Sequence, residues 1–233
     1  MKFCSIGIPG LVLGKHNLKD PRLDEADRLV EAKKKAYAQV DIVDDKDLAY
    51  ADAIITTREL LADLLIRDLE FIETRIAHGA LEAEKTVLQK MSALLESEKP
   101  LSAGTFTPED WQAVAAHNFV TSRPVVVADA PDLEDLESFL VRAFAQSGFI
   151  SFLTVGGKEN RAWPIRQGLT AWEAAGTIHT DIQKGFIRAE IIGYDDFIAA
   201  GGETEAKRAG KQRLELKTYV MQDYDLTNFR FNK

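Results

Sequence analysis

The sequence has a single cysteine, Cys4, in 233 residues. One cysteine cannot form an intramolecular disulfide, so a disulfide-stapled secreted domain is excluded and a cytosolic protein is predicted. No apolar run approaches the ~20 residues that a membrane-spanning helix needs. The first residues also lack the basic start, apolar centre and small-residue cleavage site of a signal peptide. We therefore expect a cytoplasmic protein with no membrane partner.

Positive charge is also in short supply. The chain has 29 Lys and Arg residues against 37 Asp and Glu, a formal net charge of −8. This balance argues against binding nucleic acid or an anionic membrane over the whole surface, and we expect no DNA partner. The charge is unevenly divided: residues 149–233 hold 12 basic and 11 acidic residues, and residues 1–148 hold 17 and 26. The ordinary apolar share of 45% excludes a disordered chain, and the charge asymmetry indicates two modules.

The strongest periodicity lies in residues 58–99. Apolar residues recur there every three or four positions, which marks one face of each of two amphipathic helices. The two stripes are Leu61, Leu65, Leu69, Ile72 and Ile76, then Val87, Leu88, Met91, Leu94 and Leu95. Gly79 lies between them, so a helical hairpin of the coiled-coil kind is predicted. The stripes either pack against each other or form a groove for a protein partner.

Short apolar runs indicate strands on both sides of this hairpin. The front strands predicted are 1–8, 37–43 and 124–128. The last of these is wholly apolar, which fits a strand of a parallel sheet that is covered on both faces. The later elements predicted are strands 149–155 and 161–166, helix 170–175, and strands 186–192, 219–222 and 226–231. That later order is typical of a β-grasp domain. The predicted fold class is α/β plus α+β, with domains at 1–148 and 149–233.

A glycine-rich turn after the first predicted strand holds one candidate nucleotide site. A phosphate-binding loop needs four residues between its glycines, then Lys and Ser or Thr, so that amides surround the phosphates and the hydroxyl ligates Mg²⁺. Here only three residues separate Gly10 from Gly14, and His16 follows Lys15. An imidazole is a poor ligand for Mg²⁺. Gly10, Gly14 and Lys15 are the candidate cofactor-binding residues, and the competing interpretation is a plain turn from a strand into a helix.

Three C-terminal segments carry a family resemblance. They read GGKENRAWPIR (156–166), TAWEAAGTIHTDIQKGFIRAEI (170–191) and YVMQDYDLTNFRFN (219–232). All three resemble the C-terminal TGS region of the YchF/Obg-like ATPase family, and together they span nearly all of residues 149–233. The resemblance implies a TGS domain of β-grasp, ubiquitin-like fold and contact with RNA or the ribosome.

The front half resembles the same family in shorter segments. They read DPRL (20–23), ELLADL (59–64) and RPVVV (123–127), in the family's order. The resemblance implies a reduced P-loop-like α/β domain that carries the hairpin, in a family that binds ATP or GTP with Mg²⁺. The family's Asp-x-x-Gly turn is here residues 44–48, without glycine, and its Asn-x-x-Glu base-reading loop is residues 128–134, without asparagine. The long switch region is absent.

These losses determine the expected function. Phosphoryl transfer depends on positioning and charge stabilisation, so little catalysis is expected without the metal-binding and switch elements. We therefore expect no cofactor, no catalytic residue and a nucleotide-independent interaction protein that contacts RNA, the ribosome or another translation component. The alternative is a weak ATP or GTP hydrolase that uses the degenerate loop around Lys15.

Basic residues of the TGS-like segment are the candidates for RNA or partner binding. They are Lys158, Arg161, Arg166, Lys184 and Arg188. Positive charge can follow a phosphate backbone, and Trp163 offers a stacking plane. In the competing interpretation these are ordinary surface charges, some paired with Glu159, Asp181 and Glu190, and Trp163 is a core residue. His179 is expected to hydrogen-bond its own loop, and no metal site is predicted.

Overall fold

A computed structural model of the chain describes residues 1–232, which fold into two compact units. The first unit consists of residues 1–15 and 41–139. The second consists of residues 16–40 together with the chain from residue 140 onward. This division differs from the predicted boundary between residues 148 and 149, because a segment near the start of the chain packs within the second unit.

The described residues form a mixed α/β structure with two sheets. Its strands are β1 Lys2–Ile6, β2 Gly14–Asn17, β3 Lys35–Ala36, β4 Gln39–Val43, β5 Ala53–Thr57, β6 Val125–Ala128, β7 Phe149–Thr154, β8 Asn160–Arg166, β9 Phe186–Ile192, β10 Arg213–Glu215 and β11 Leu226–Phe231. Its helices are α1 Pro21–Leu29, α2 Arg58–Ala77, α3 Glu82–Glu96, α4 Pro108–Ala113, α5 Ala130–Glu134, α6 Leu136–Gln146, α7 Ala171–Ile178, α8 Thr180–Lys184, α9 Tyr194–Ala200 and α10 Glu203–Arg208.

The five-stranded sheet has the order β2-β4-β1-β5-β6. Strand β1 pairs in parallel with β4 and β5, and β5 pairs in parallel with β6, with Ile54 opposite Val125. The predicted parallel strand at 124–128 is therefore confirmed. Its apolar run fits this place because a strand of a parallel sheet is covered on both faces.

Helices α2 and α3 form a hairpin in the first unit. Both apolar stripes belong to one core, in which Ile72, Leu88 and Met91 are fully buried. The stripes therefore pack against each other, as the first of the two alternatives predicted. Spacings of three and four residues keep these side chains on one face of each helix, which lets the two faces meet along their length.

A buried carboxylate joins the hairpin to the 3₁₀ turn Val120–Ser122. Asp68 lies in the middle of α2 and is 3% exposed. Its Oδ1 accepts the amide of Val120 at 2.8 Å, and its Oδ2 accepts the amide and hydroxyl of Thr121, each at 2.7 Å. Three donors thus satisfy a charge that would be costly to bury unpaired.

The six-stranded sheet of the second unit has the order β10-β9-β11-β7-β8-β3. Strands β7 and β8 form an antiparallel hairpin, β9 pairs antiparallel with β10 and β11, and β11 is parallel to β7. Helix α7 covers one face with an apolar core that includes Phe152, Ala174 and Ile191. The sheet is thus mixed, and α7, which covers one face, comes from the chain between β8 and β9.

Residues 16–40 supply α1 and the edge strand β3 to this unit. Strand β3 pairs in parallel with β8, with Lys35 opposite Asn160. Asn160 is fully buried, and its Nδ2 donates to Asp27 Oδ1 at 2.7 Å and to the Val30 carbonyl at 2.6 Å. Its Oδ1 accepts the Gly156 amide at 2.8 Å. One buried side chain therefore holds the end of α1 against the β7–β8 turn.

The start of α1 is held by a guanidinium. Asp20 caps the helix by accepting the Arg22 amide, and Arg22 pairs with the carboxylates of Asp20 and Asp223, each at 2.7 Å. The same guanidinium lies 3.7 Å from the ring centroid of Tyr224, which is 2% exposed. Both ends of α1 are thus bound by polar contacts to the C-terminal sequence.

Three details of the second unit differ from the sequence predictions. Residues 219–222 form no strand beyond a single bridge at Val220, and the short strand β10 takes the sheet edge. Gly176 does not end α7, which continues to Ile178. A Cβ at Gly176 would lie 2.8 Å from the end of the Gln183 side chain, so the glycine leaves room for that side chain of α8.

Candidate functional site

The carboxyl ends of β1, β4, β5 and β6 lie at one edge of the five-stranded sheet, where α/β proteins bind ligands. At the end of β1 the backbone turns at Gly7, whose φ is +68°. Leu60, in the first turn of α2, covers this turn so closely that a Cβ on Gly7 would lie 2.1 Å from Leu60 Cδ1. An aliphatic side chain thus lies directly over the turn that follows β1.

The predicted cofactor residues do not lead into a helix. Gly10 lies in the turn after β1, and Gly14 and Lys15 begin β2, an edge strand. The expected strand-to-helix turn is therefore wrong, because the next helix begins only at Pro21. A helix start is what supplies several free amides to a phosphate. Lys15 is exposed in an edge strand, and anion binding by Lys15 stays a prediction.

Acidic residues follow two other strands at this edge. The acids that come directly after β4 and β6 are Asp44, Asp45, Asp47 and Asp129. Arg58, the first residue of α2, lies 3.8 Å from the carboxylate of Asp129. The Cys4 thiol donates to the Asp44 carbonyl, and burial together with the neighbouring acids raises the pKa of Cys4 to about 11. The edge is thus acidic and Cys4 is a protonated, unreactive thiol at neutral pH.

The five predicted RNA-binding cations all lie in the second unit. Lys158 is exposed in the β7–β8 turn, Lys184 is exposed at the end of α8, and Arg188 is exposed on β9. Arg161 and Arg166 lie on β8, whose pairing with β7 is regular from Phe149 to Thr154. Five residues apart on a regular strand, these two arginines are on opposite faces of the sheet. The structure therefore does not bring all five cations onto one surface.

Arg161 and Trp163 form a pair on one face of β8. The Arg161 guanidinium lies 4.6 Å from the centroid of the indole ring and 3.6 Å from the Glu159 carboxylate. The indole packs beside Phe152 with ring planes 13° apart, and its Nε1 donates to Thr154 Oγ1 at 3.0 Å. Trp163 is only partly buried. It thus belongs to the margin of the core and also supports a surface cation.

Sequence reasoning missed a second group of cations. Lys33, Lys34 and Lys35 are exposed and lie immediately before and within β3, beside β8. Lys35 pairs with Asp24 on α1 at 2.5 Å. The run of three lysines is visible in the sequence, but its position next to Arg161 follows from the β3–β8 pairing alone.

His179 has a structural role, as expected. Its Nδ1 accepts the Asp181 amide at 3.1 Å and so caps the start of α8. Over the residues that the structure describes, no three or more His, Cys, Asp or Glu side chains are grouped so as to hold a metal ion. Within residues 1–232 there is also no helix whose length and apolar character would let it traverse a bilayer.

Comparison with known proteins identifies the family. Residues 149–232 match the family model YchF-GTPase_C, described as "Protein of unknown function (DUF933)". The Ribosome-binding ATPase YchF of Haemophilus influenzae is 32% identical, over 83% of this chain and 68% of that protein. The protein of the same name from Bacillus subtilis is 30% identical, over 78% of this chain and 67% of its own length. The chain belongs to the YchF/Obg-like ATPase family. The predicted family membership is thereby confirmed.

The likeness to other YchF proteins is uneven along the chain. The Haemophilus influenzae alignment extends over 251 positions, more than the 233 residues here, so that protein has internal segments with no counterpart in this chain. The Escherichia coli O157:H7 protein is 55% identical over 82 residues, 35% of this chain and 23% of that protein. The Schizosaccharomyces pombe YchF GTPase structure superposes with a TM-score of 0.74 at 18% identity, over 99% of this chain and 97% of that one, so the fold is shared.

Proposed function

We propose that this YchF family member is a nucleotide-independent interaction protein that contacts RNA, the ribosome or another translation component through the TGS-like part of its second unit. The observation that carries the proposal is at the end of β1. There Leu60 covers the Gly7 turn and Lys15 enters a strand instead of a helix. The space above the Gly7 turn is filled by Leu60, and β2 takes the place of the helix start that a nucleotide loop would have after Lys15.

Two further observations support contact with the ribosome. Relatives that align with most of this chain are named ribosome-binding ATPases. The second unit also exposes Lys158, Lys184 and Arg188, together with Lys33, Lys34 and Lys35 at the start of β3. Exposed cations in one unit of an otherwise acidic protein favour contact of that unit with a polyanionic partner.

We also infer that residues 149–232 of the second unit form a TGS-like β-grasp domain. The strands β8-β7-β11-β9-β10 form a mixed sheet with β7 and β11 parallel at its centre, and α7 packs across one face. That arrangement supports the β-grasp assignment made from the order of the predicted elements. Strand β3 then lies outside the domain proper, as an added edge.

The nucleotide prediction is tested by turnover. We expect purified protein to hydrolyse neither ATP nor GTP with Mg²⁺ at a rate above that of Lys15→Ala. The reason is that metal-binding and switch elements, which supply most of the rate in phosphoryl transfer, are lacking. A thermal-shift titration with ATP, GTP, ADP and GDP accompanies the assay, since a ligand at 100 times its Kd stabilises by ~2.7 kcal/mol. Turnover that Lys15→Ala abolishes would support the weak-hydrolase alternative and reject the proposal.

The ribosome prediction is tested by charge reversal. We expect Lys158→Glu with Arg161→Glu to weaken co-sedimentation with ribosomes and to flatten its dependence on salt. Each phosphate contact contributes about −0.7 to −0.9 to the slope of log K against log salt, so two lost contacts reduce the slope by about 1.4 to 1.8.

The matched control reverses two other exposed cations of the same unit. Arg208→Glu with Lys217→Glu makes the same change in net charge away from β8. Equal loss with both pairs would indicate a general charge effect. Unchanged binding of the Lys158/Arg161 variant, with its fold intact by circular dichroism, would move the contact elsewhere and leave the α2–α3 hairpin as the candidate.

A further inference from the structure

A groove of about 480 Å³ lies at the β8 edge of the second unit. Its lining is Asn17, Lys35, Ala36, Tyr37, Ala38, Gln39, Arg161, Ala162, Trp163 and Pro164. The groove exists because β3 pairs with β8 only at Lys35 and Ala36, after which the chain departs towards β4. Among residues 1–232, no strand pairs with this edge of β8 beyond Arg161. The volume is within the range of pockets that bind small organic groups.

The open edge does not suit an added peptide strand. The Asn160 amide donates to the Lys34 carbonyl, so this residue of β8 presents its backbone nitrogen towards the groove side. Backbone groups alternate along a strand, so Ala162 and Pro164 present theirs on the same side. Pro164 has no N–H to donate, and proline at an edge blocks strand pairing. The occupant is therefore recognised by side chains.

Two flat groups and two cations line this groove, with Arg161 on one face of the sheet edge and Lys35 on the other. The Arg161 guanidinium lies 4.6 Å from the indole centroid of Trp163, and the Lys35 ammonium lies 5.4 Å from the ring centroid of Tyr37. Aromatic rings and arginine planes are the surfaces on which unpaired bases of RNA stack. Hydrogen bonds hold both rings in place, from Trp163 to Thr154 Oγ1 and from the Tyr37 hydroxyl to Asp24. The stacking surfaces are thus pre-organised.

Polar groups suited to a base edge lie at the same place. Gln39 Nε2 donates to Asn17 Oδ1 at 2.9 Å, and both side chains are exposed. A carboxamide offers a donor and an acceptor side by side, as the Watson–Crick edge of a base requires. Their mutual hydrogen bond uses the Gln39 amino group and the Asn17 carbonyl. It does not use the Gln39 carbonyl or the Asn17 amino group.

Cations near the groove provide a path for the adjoining phosphates. Lys33 and Lys34, just before β3, and Lys158, in the β7–β8 turn, are all exposed. Each lies within three residues of Lys35 or Arg161, which line the groove. Glu159 offsets part of this charge through its ion pair with Arg161.

We propose that this groove binds one unpaired nucleotide of single-stranded RNA, its base stacked on the Arg161–Trp163 pair or on Tyr37 and its edge read by Gln39 and Asn17. The inference rests on the proposed function and adds the part of the RNA that is recognised, an unstacked base.

The test uses Trp163 as its own reporter. The full-length W111F/W172F variant keeps Trp163 as its only tryptophan, because the chain has three. We expect a short single-stranded RNA oligomer to quench its fluorescence saturably, and an abasic oligomer of the same charge to leave it unchanged. Free nucleoside monophosphates are expected to quench only at far higher concentration, because they lack the flanking phosphates. Equal affinity for a monophosphate would overturn RNA as the source of the base.

Substitutions then locate the base. Tyr37→Ala is expected to weaken oligomer binding by roughly 5- to 100-fold, the range for loss of one base-stacking ring, and Tyr37→Phe to retain it. Gln39→Ala, at an exposed position, is expected to change the order of affinity among oligomers of the four bases. Quenching by the abasic oligomer, or normal binding by both Tyr37→Ala and Gln39→Ala, would overturn the groove. If ribosome binding still falls with Lys158→Glu and Arg161→Glu, the proposed function stands without it, whereas no binding of RNA or ribosomes rejects both.

Discussion

Asp68→Ala is expected to lower the free energy of unfolding of the first unit by about 3–5 kcal/mol. The carboxylate accepts the amides of Val120 and Thr121 and the Thr121 hydroxyl, all in a buried setting. Each buried donor left without a partner costs about 1–3 kcal/mol, and hydrogen bonds to a charged group are at the upper end. Because the Val120–Ser122 turn precedes β6, we expect its loss to loosen the contact of the hairpin with the chain that enters the sheet.

Urea unfolding followed by Trp111 fluorescence measures this effect. Trp111 lies in the first unit, whereas Trp163 and Trp172 lie in the second, so their replacement by Phe isolates the transition of interest. Asp63→Ala is the matched control, since Asp63 is on the same helix and exposed. An unchanged midpoint for Asp68→Ala would show that the turn is held by its apolar contacts alone.

Asn160→Ala is expected to destabilise the second unit by about 2–4 kcal/mol. The substitution leaves the Asp27 carboxylate, the Val30 carbonyl and the Gly156 amide without their shared partner, and it opens a cavity where a fully buried side chain was. We expect the segment that contains α1 and β3 to detach before the rest of the unit unfolds.

Limited proteolysis with trypsin measures that detachment. Lys33, Lys34 and Lys35 are the cleavage sites, and we expect cleavage there to become faster in Asn160→Ala. Asn232→Ala is the control, because Asn232 is exposed. Asn160→Asp keeps the shape but places a second carboxylate against Asp27, so it is expected to behave like the alanine variant. Cleavage at the wild-type rate in both would show that β3 pairing alone holds the segment.

Local patterns predicted several elements well. Thr107 and Asp110 form a capping box at the sequence Thr-Pro-Glu-Asp, a local signal for a helix start, and α4 begins at Pro108. The apolar stripes of residues 58–99 produced the two helices of the hairpin. Such signals succeed because capping and helical periodicity involve residues three or four positions apart, so both interacting residues are visible in a short stretch of sequence.

The candidate site was predicted less well. The glycines around Gly10 indicated a turn, which the structure has, but the helix expected after Lys15 is a strand. Arg161 and Trp163 were named from the sequence, whereas the roles of Tyr37 and Gln39 in the groove were not. Neither residue has a distinctive neighbourhood in the sequence, and their surroundings arise only when β3 pairs with β8.

The sequence by itself determined the family, the helical hairpin, the first-sheet strands predicted at 1–8, 37–43 and 124–128, and the loss of the nucleotide-loop spacing. Only the tertiary structure decided that residues 16–40 join the C-terminal sheet, that Leu60 covers the Gly7 turn and that a groove opens beside β8. The physical reason is chain separation. Asn160 hydrogen-bonds Asp27, which is 133 positions away in the sequence. The residues next to Asn160 do not specify this partner, because a buried asparagine could bond the end of any helix that packs beside it. Which distant partner it meets depends on how whole elements pack, and that is set by the summed burial of many side chains rather than by the residues on either side.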